Sequence, residues 1–181
     1  TEVVKNEESP AEPHTIKLAI IGRPNAGKST IINALLREDR LVTGPIPGIT
    51  RDSIDIELNY KGVRIILTDT AGMRKKRNIE RESIEQLSTS HTVEAIEASD
   101  IVALVIDAKM LIETQDMKIA NLAIYRGKPL ILVVNKIDLV ESKEEMDYIK
   151  DEIRYLVETK LSEIKTLNIL YVSGTQKKNV S

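Results

Sequence analysis

Short apolar runs alternate along the chain with longer amphipathic stretches. Five of the runs are continuous and rich in β-branched residues, which is typical of central parallel strands covered on both faces. They lie at residues 16–21, 64–69, 101–107, 130–135 and 168–172. Helical periodicity falls between them, at residues 29–37, 79–98, 114–126 and 144–162. This alternation predicts an α/β fold with a doubly wound sheet, in which ligands bind beyond the carboxyl ends of the strands.

Residues 53–60 show a different pattern, because every second residue from Ile54 to Tyr60 is apolar and the residues between them are polar. Such alternation predicts a strand with one wet face at the edge of a sheet. The dipeptide Lys61-Gly62 then favours a hairpin turn into the next run. Together these segments predict a mostly parallel six-stranded sheet with one antiparallel edge strand and helices on both faces.

The composition is that of a single globular domain, with 181 residues of which 41% are hydrophobic and 30% charged. Cysteine is absent, which excludes disulfides, thiolate metal sites and a cysteine nucleophile. The net charge of -2 does not predict a nucleic-acid partner, and no segment approaches the roughly 20 apolar residues of a membrane span. The polar, acidic residues 1–14 predict a disordered linker, and residues 15–181 predict one domain.

The octapeptide "GRPNAGKS" fits the phosphate-loop pattern G-x-x-x-x-G-K-[ST] directly between a predicted strand and a predicted helix. Its glycines let the backbone wrap phosphates, while peptide N–H groups and the helix N-terminus supply positive potential. Lys28 would bridge the β- and γ-phosphates, and Ser29 would bind Mg²⁺. The alternative is a tight glycine turn before a helix, which this context disfavours.

The tetrapeptide "DTAG" ends the third predicted strand. Asp69 is suited to bind a magnesium-bound water there, and Gly72 to offer its N–H to a γ-phosphate. A strand-ending Asp-Thr is often only a cap, but the position after the phosphate loop favours the functional interpretation. Thr50, in the Pro/Gly-rich "TGPIPGITRD", is a candidate Mg²⁺ ligand in the presence of a γ-phosphate, and the alternative is an ordinary loop threonine.

The tetrapeptide "NKID" follows the fifth predicted strand and is suited to choose the base. The carboxylate of Asp138 can accept hydrogen bonds from N1–H and the exocyclic amino group of guanine, whereas adenine would leave it unpaired. The Lys136 stem can cover the base plane, and Asn135 can tie this segment to the phosphate loop. Ser173 and Gly174, after the last strand, give a weaker signal for a backbone N–H near the guanine oxygen.

The order "GRPNAGKS", Thr50, "DTAG", "NKID", "VSG" resembles the P-loop GTPases over nearly the whole chain. "GRPN" with "PGITRD" looks like the branch that contains the Era, tRNA-modification and Der (EngA) GTPases. "DTAGMRKKRNIE", "AIEASDIVALVIDA", "TQD" and "IANLAIYRGKPLILVVNKIDLV" are similar to the second of the two GTPase domains in the Der family. The resemblance implies a P-loop GTPase fold in which the nucleotide contacts are Gly22, Arg23, Pro24, Asn25, Ala26, Gly27, Lys28, Ser29, Thr30, Asp69, Thr70, Ala71, Gly72, Asn135, Lys136, Asp138, Ser173 and Gly174, with Ser29, Thr50 and Asp69 around the metal.

The Der family carries tandem GTPase domains and a C-terminal KH-like domain, and it assists assembly of the large bacterial ribosomal subunit. The resemblance therefore implies a cytoplasmic domain that binds GTP and GDP with Mg²⁺ and slowly hydrolyses GTP. The large ribosomal subunit and its RNA are the implied partners, together with an adjoining GTPase domain and the KH-like domain, and no membrane is implied.

This chain departs from the family pattern at four points. Ala26 stands where the branch usually has Val, and Ile49 replaces the usual first threonine of a pair. Gly174 replaces the usual alanine, which we expect to loosen its loop and weaken guanine affinity. The sequence stops at Ser181, before the final helix that the resemblance implies, so we expect a truncated domain.

Met73 occupies the position at which small regulatory GTPases carry a water-orienting glutamine, and a thioether cannot orient water in that way. Asn25 matches relatives of this branch that potassium activates. We therefore hypothesise that K⁺ lies beside the phosphates, held partly by Asn25; the alternative for this residue is a loop-stabilising side chain. The residues expected to act in catalysis are Asn25, Lys28, Thr50 and Gly72.

Arg74, Lys75, Lys76 and Arg77 form a basic run on a segment that the resemblance implies reorders between GTP and GDP states. A ribosomal RNA contact is one interpretation and a solvated loop is the other. For the whole chain, the alternatives to a slow GTPase are a guanine-nucleotide-dependent binding module with negligible hydrolysis, a P-loop kinase or ATPase, which Asp138 argues against, and a non-functional fragment.

Overall fold

A computed structural model describes residues 14–37, 42–44, 56–68, 84–161 and 167–180. Within these ranges seven strands form one sheet in the order β2-β3-β4-β1-β5-β6-β7. β3 is antiparallel to both of its neighbours, and the other paired strands run parallel. The strands are β1 (Thr15–Ile21), β2 (Val42–Gly44), β3 (Ile56–Tyr60), β4 (Val63–Thr68), β5 (Ile101–Asp107), β6 (Leu130–Asn135) and β7 (Asn168–Tyr171).

Four α-helices connect the strands in the described part of the chain, and a short 3-10 helix, Ile137–Leu139, follows β6. They are α1 (Lys28–Leu36), α2 (Ile84–Ala98), α3 (Thr114–Tyr125) and α4 (Lys143–Lys160). These bounds confirm the predicted helices, although residues 79–83 of the second prediction lie outside the described residues. Within the described ranges no helix has the length and apolar composition that crossing a membrane requires.

The strands bury both faces of the sheet, as their continuous apolar runs predict. Because successive side chains point to opposite faces, Ala19 and Ile21 of β1 lie on one side while Leu18 and Ile20 lie on the other. The first side packs on α2, α3 and α4 through Ile96, Ile119, Ala123, Ile149 and Ile153, together with Leu104, Ile106, Leu132 and Val134 of the sheet. The second side packs on α1 through Ile31, with Ala26, Ala103, Val105, Val133 and Val172.

The predicted six strands are all present, but β3 is not the edge strand that the sequence predicts. β2 pairs with its outer side, from Val42 opposite Asn59 to Gly44 opposite Glu57, and takes the edge position. A strand of three residues carries too little periodicity to be recognised from sequence. Residues 53–55 of the predicted strand lie outside the described residues.

The turn between β3 and β4 confirms the predicted hairpin. Lys61 has φ 50° and Gly62 has φ 83°, the two positive values that a type I′ turn requires. The strands that it joins pair in register from Tyr60 opposite Val63 to Ile56 opposite Leu67. A bidentate ion pair between Arg64 and Glu57 also links them.

Candidate functional site

The candidate site lies where the parallel strands β1, β5, β6 and β7 end. Because the carboxyl ends of parallel strands meet at one edge of a sheet, the loops that follow these strands converge there. Residues 22–27 follow β1, Asp107 ends β5, Asn135 ends β6, and Ser173 follows β7. The topology thus brings three of the sequence motifs together.

Two glycines allow the loop after β1 to lie close against the sheet. A Cβ on Gly22 would overlap the carbonyl oxygen of Val105, and Gly22 has φ 155°. A Cβ on Gly27 would overlap the Nδ2 atom of Asn135, and its φ of 94° is a left-handed conformation that favours glycine. Since α1 begins directly after Gly27 and has no acidic residue in its first turn, its N-terminal N–H groups keep their positive potential.

Lys28 folds back onto the loop that precedes it. Its Nζ atom donates to the carbonyl oxygens of Gly22, at 2.6 Å, and Arg23, at 2.8 Å. The ammonium group is therefore held at the mouth of the loop, on the side of the first helical turn. An anion bound in the loop would meet this charge together with the N–H groups of α1.

The other loop residues divide into exposed and buried members. Pro24, Asn25, Ser29 and Thr30 are exposed, while Ala26 is buried in the cluster beneath α1. Asn25 has φ 66°, a left-handed conformation that asparagine adopts more readily than most residues. This conformation is a backbone reason for asparagine at position 25.

Asn135 joins three loops through one buried side chain. Its Nδ2 atom donates to the carbonyl oxygen of Ala26 at 3.0 Å, and its Oδ1 atom accepts from the backbone N–H of Gly174 at 3.0 Å. The side chain is only 2% exposed. The predicted tie between "NKID" and the phosphate loop is therefore present, and it extends to the loop after β7.

Asp138 is held by a serine from the loop after β7. The Oγ atom of Ser173 donates to Oδ1 of Asp138 at 2.5 Å and accepts from the backbone N–H of Gln176 at 3.0 Å. Ser173 is fully buried and Asp138 is half-buried. One carboxylate oxygen of Asp138 is thus fixed in place by the loop after β7.

Lys136 pairs with a carboxylate at the end of the neighbouring strand. Its Nζ atom lies 2.7 Å from Oδ2 of Asp107, while Oδ1 of the same carboxylate accepts from the backbone N–H of Lys109 at 2.9 Å. Lys136 has φ 65°, and its stem passes beside Gly27. The pair lays the lysine stem across the mouth of the phosphate loop.

Arg23 turns away from the loop and binds the start of α3. Its Nε atom donates to Oδ2 of Asp116 at 2.9 Å, its Nη1 atom lies 2.7 Å from Glu113, and its Nη2 atom donates to the carbonyl oxygen of Leu111 at 3.3 Å. Burial raises the pKa of Asp116, and this outweighs the lowering by the Glu113 amide and by the Arg23 guanidinium. The guanidinium group of Arg23 therefore anchors the loop to α3.

Several predicted site residues lie outside the described residues: Thr50, Asp69, Thr70, Ala71, Gly72, Met73 and the basic run from Arg74 to Arg77. Of the predicted metal ligands only Ser29 is described, as an exposed residue in the first turn of α1. The described ranges hold no cluster of three or more His, Cys, Asp or Glu side chains suited to a metal. A serine hydroxyl is an oxygen donor of the kind that Mg²⁺ accepts alongside water and phosphate oxygens.

Sequence reasoning did not identify the acidic partners of the loop residues. Asp107, Glu113 and Asp116 hold Lys136 and Arg23 from positions that are distant in sequence. One signal was available, because Asp107 ends a buried central strand at the same edge of the sheet as the phosphate loop. Asp116 follows helical periodicity and gives no such signal.

Comparison with known proteins identifies similar chains. The profile of the family described as 50S ribosome-binding GTPase matches residues 17–136. The chain is 44% identical over 178 residues to GTPase Der of Rickettsia typhi, an alignment that covers 98% of this chain and 39% of that protein. The chain thus spans about two fifths of the length of that relative.

Two solved structures of Era share the fold. One is a crystal structure of an Aquifex aeolicus Era variant bound to GDP.AlF4-, with a TM-score of 0.65 and 26% identity, covering 92% of this chain and 54% of that one. The other is Era in complex with MgGDPNP and nucleotides 1506–1542 of 16S ribosomal RNA, also with a TM-score of 0.65 and 26% identity. It covers 92% of this chain and 53% of the Era chain.

Proposed function

Because the chain belongs to the family of 50S ribosome-binding GTPases, we propose that it binds guanine nucleotides and slowly hydrolyses GTP to GDP and phosphate, as a switch in assembly of the large ribosomal subunit. The observation that carries this proposal is the buried side chain of Asn135, which joins the phosphate loop, the "NKID" segment and the loop after β7. A single ligand with phosphates at one end and a base at the other would contact all three loops.

The phosphates would lie in the loop from Gly22 to Thr30. The backbone N–H groups of this loop and of the first turn of α1 would donate to the α- and β-phosphates. Lys28 would exchange its contacts with the carbonyl oxygens of Gly22 and Arg23 for the β- and γ-phosphates. Those carbonyl contacts keep the ammonium group hydrogen-bonded before the nucleotide arrives.

Guanine would be selected by Asp138. The hydrogen bond from Ser173 fixes the carboxylate, and guanine N1–H and its exocyclic amino group would donate to it. Adenine offers neither donor, so it would leave a carboxylate without its partners in a confined site, which discriminates strongly. The stem of Lys136 would cover one face of the base, since its Nζ atom is held by Asp107.

The metal would be held by Ser29 and Thr50, with Asp69 contacting it through a metal-bound water. Bound there, Mg²⁺ would neutralise charge on the β- and γ-phosphate oxygens. Hydrolysis forms a bond from water to the γ-phosphorus and breaks the bond from phosphorus to the β–γ bridging oxygen, releasing GDP and phosphate. Gly72 would offer its N–H to the γ-phosphate in that reaction.

Asn25 is our candidate potassium ligand. Its side chain is exposed at the mouth of the loop and makes no hydrogen bond with the other described residues. Met73 cannot orient the attacking water. A potassium ion beside Asn25 would instead promote the reaction by stabilising the negative charge that develops on the phosphates. Slow turnover follows from the absence of a water-orienting glutamine after "DTAG".

The first experiment measures GTP hydrolysis at matched ionic strength in potassium and in sodium, with Lys28→Ala as the background. A large rise in potassium that Asn25→Ala removes is the expected result. GTP that binds tightly and is not hydrolysed in either salt would instead make this chain a nucleotide-dependent binding module. Failure to bind GTP or GDP would overturn the proposal itself.

The proposed partner is the large ribosomal subunit, in a cytoplasmic protein that also carries a second GTPase domain and a KH-like domain. The family description and the similarity to GTPase Der support this choice, and the run from Arg74 to Arg77 is the proposed contact with ribosomal RNA. Sedimentation with 50S and with 30S subunits, each with GTP analogue and with GDP, tests it. Binding to 30S subunits alone would contradict the proposal. The matched variant neutralises all four charges of the basic run, and its binding to 50S subunits is compared with that of the wild type across a range of salt concentrations.

A further inference from the structure

We propose that Asp116 is a positioning residue for the phosphate loop, acting through the side chain of Arg23. The inference rests on the proposed nucleotide binding and assigns a role to a residue that lies outside the predicted nucleotide-contacting motifs, in the segment "TQD". Asp116 belongs to α3, 93 positions from Arg23 along the chain. Among the described residues proposed to contact the nucleotide, Asp116 forms its hydrogen bond with Arg23.

The contact between the two residues is buried and specific. Asp116 is fully buried, and its Oδ2 atom accepts both from Nε of Arg23, at 2.9 Å, and from the backbone N–H of Glu113, at 3.0 Å. The side chain of Arg23 is only 11% exposed. Nη1 lies against Glu113 and Nη2 donates to the carbonyl oxygen of Leu111, so each of the three guanidinium nitrogens has a partner around the start of α3 and the plane of the group is fixed.

Asp116 completes a capping box with Glu113 at the start of α3, but helix capping does not require its ion pair with Arg23. Burial opposes ionisation of Asp116, and its Oδ1 atom is buried without a hydrogen-bond partner among the described residues. A buried ion pair adds little or nothing to stability compared with apolar side chains of the same size. Leu111 also has φ 55°, a conformation unusual for a residue other than glycine, and its carbonyl oxygen accepts from Arg23 in that conformation.

The contacts of the Arg23 side chain with Asp116, Glu113 and the carbonyl oxygen of Leu111 are called the Arg23 clamp below. The backbone of Arg23 connects this clamp to the phosphate-binding lysine, Lys28. The carbonyl oxygen of Arg23 accepts from Nζ of Lys28 at 2.8 Å and from the backbone N–H of Ala26 at 3.3 Å. Fixing the side chain of Arg23 therefore fixes the residue around which the loop turns, and the ammonium group of Lys28 rests on that residue until phosphates replace the contact. Without the clamp the loop has to be ordered by the nucleotide, and the affinity for phosphates falls.

The test is a double-mutant cycle on GDP affinity, with Asp116→Asn, Arg23→Gln and the double variant. We expect each single variant to bind GDP about tenfold more weakly, which corresponds to about 1.4 kcal/mol. The double variant should lose no more than either single variant, because both remove the same contact. Glu145→Gln is the matched control. It breaks an exposed ion pair of 2.6 Å with Lys109, a residue of the loop between Asp107 and Glu113, and it should leave the GDP affinity unchanged.

A second readout separates positioning of the phosphate loop from general loosening of the site. Inosine diphosphate lacks the exocyclic amino group of guanine, so the ratio of GDP to IDP affinity reports the contact with Asp138. We expect this ratio to stay at the wild-type value in Asp116→Asn while both affinities fall together. A changed ratio, additive losses in the cycle, or unaltered GDP affinity would each overturn the inference.

Thermal unfolding of each variant without nucleotide shows whether the variant is still folded. Should Asp116→Asn not unfold cooperatively, Arg23→Gln and Arg23→Lys decide the question, because lysine keeps the charge but cannot match the three-way contact. Both are then expected to weaken GDP binding about tenfold, and wild-type affinity in either would refute the inference. Wild-type protein that binds no GDP would refute the proposed function instead, so the two failures are distinguishable.

Discussion

Replacing Asn135 with alanine should lower the free energy of unfolding of the nucleotide-free protein by about 2–4 kcal/mol. The side chain makes two hydrogen bonds of 3.0 Å, to the carbonyl oxygen of Ala26 and from the N–H of Gly174, and it is 2% exposed. A buried backbone group left without its partner costs about 1–3 kcal/mol. Two such groups would cost roughly 2–6 kcal/mol, and partial entry of water brings the expectation to the lower part of that range.

Urea denaturation without nucleotide measures this effect directly, and the melting temperature should fall by roughly 5–15 °C for a domain of this size. Asn168→Ala is the control, because Asn168 lies at the exposed start of β7. Its effect should stay within about 0.5 kcal/mol. The same substitution is thus compared at a bridging and at a solvent-facing asparagine.

Asn135→Asp separates the two contacts. Aspartate can still accept from the N–H of Gly174, but it places an anionic oxygen against the carbonyl oxygen of Ala26 where the amide donates. We therefore expect it to be at least as destabilising as alanine. A loss below about 1 kcal/mol for alanine, or wild-type stability for aspartate, would refute the reasoning that the bridge holds the loops together.

Gly27→Ala should destabilise the protein by at least about 2 kcal/mol and abolish tight GDP binding, because the new Cβ meets both an unfavourable φ of 94° and the amide of the buried asparagine. Gly62→Ala, at φ 83° with open space around it, should cost about 1–2 kcal/mol in urea denaturation and leave GDP affinity intact. Ser173→Ala should weaken GDP binding about fivefold to tenfold, since Asp138 loses the hydrogen bond that orients it, and an affinity within twofold of wild type in a fluorescence titration would contradict this. The hydrogen bond from Arg64 holds the pKa of Glu57 below its ordinary value. The stability that this ion pair gives to the fold is therefore fully present above the ordinary glutamate pKa and is lost as the pH falls through the lowered pKa. Glu57→Gln should accordingly flatten the acid limb of the stability curve, measured by urea denaturation from about pH 7 to pH 3, and an unchanged limb would argue against this linkage.

Much of the fold could be predicted from sequence because its signals are local. Central strands such as "IVALVID" are continuous and apolar, and the helices between them carry their own periodicity. The turn at Lys61-Gly62 was equally local, since its backbone requirement is met by a glycine in the right place. The edge of the sheet could not be predicted, because β2 is defined by pairing with Asn59 and its neighbours and not by a pattern of its own.

The site was predictable to the extent that its residues lie within contiguous motifs. Asn135 and Asp138 were found because they lie at the end of a strand in a fixed order, but Asp107 and Asp116 were not, because their importance arises only when a distant strand end and a helix start are brought beside the phosphate loop. Gly174 illustrates the same limit. Because Gly174 stands where the family usually has alanine, the sequence predicts a looser loop. In the structure an added Cβ would lie 3.1 Å from the backbone nitrogen of Ile31, so glycine allows this loop to pack closely on α1.

Phosphate recognition and base recognition are therefore coupled in this domain. The carbonyl oxygen of Ala26 belongs to the phosphate loop and the N–H of Gly174 to the base-facing loop, yet both are bonded to one side chain. A displacement of either loop must break a buried hydrogen bond or carry Asn135 with it, and in the second case the neighbouring Asp138 moves as well. A substitution in the phosphate loop that displaces Ala26 should for this reason lower discrimination between guanine and adenine nucleotides. For loss of the Arg23 clamp we expect the hydrogen bond from Asn135 to Ala26 to hold, so that affinity falls while discrimination is kept.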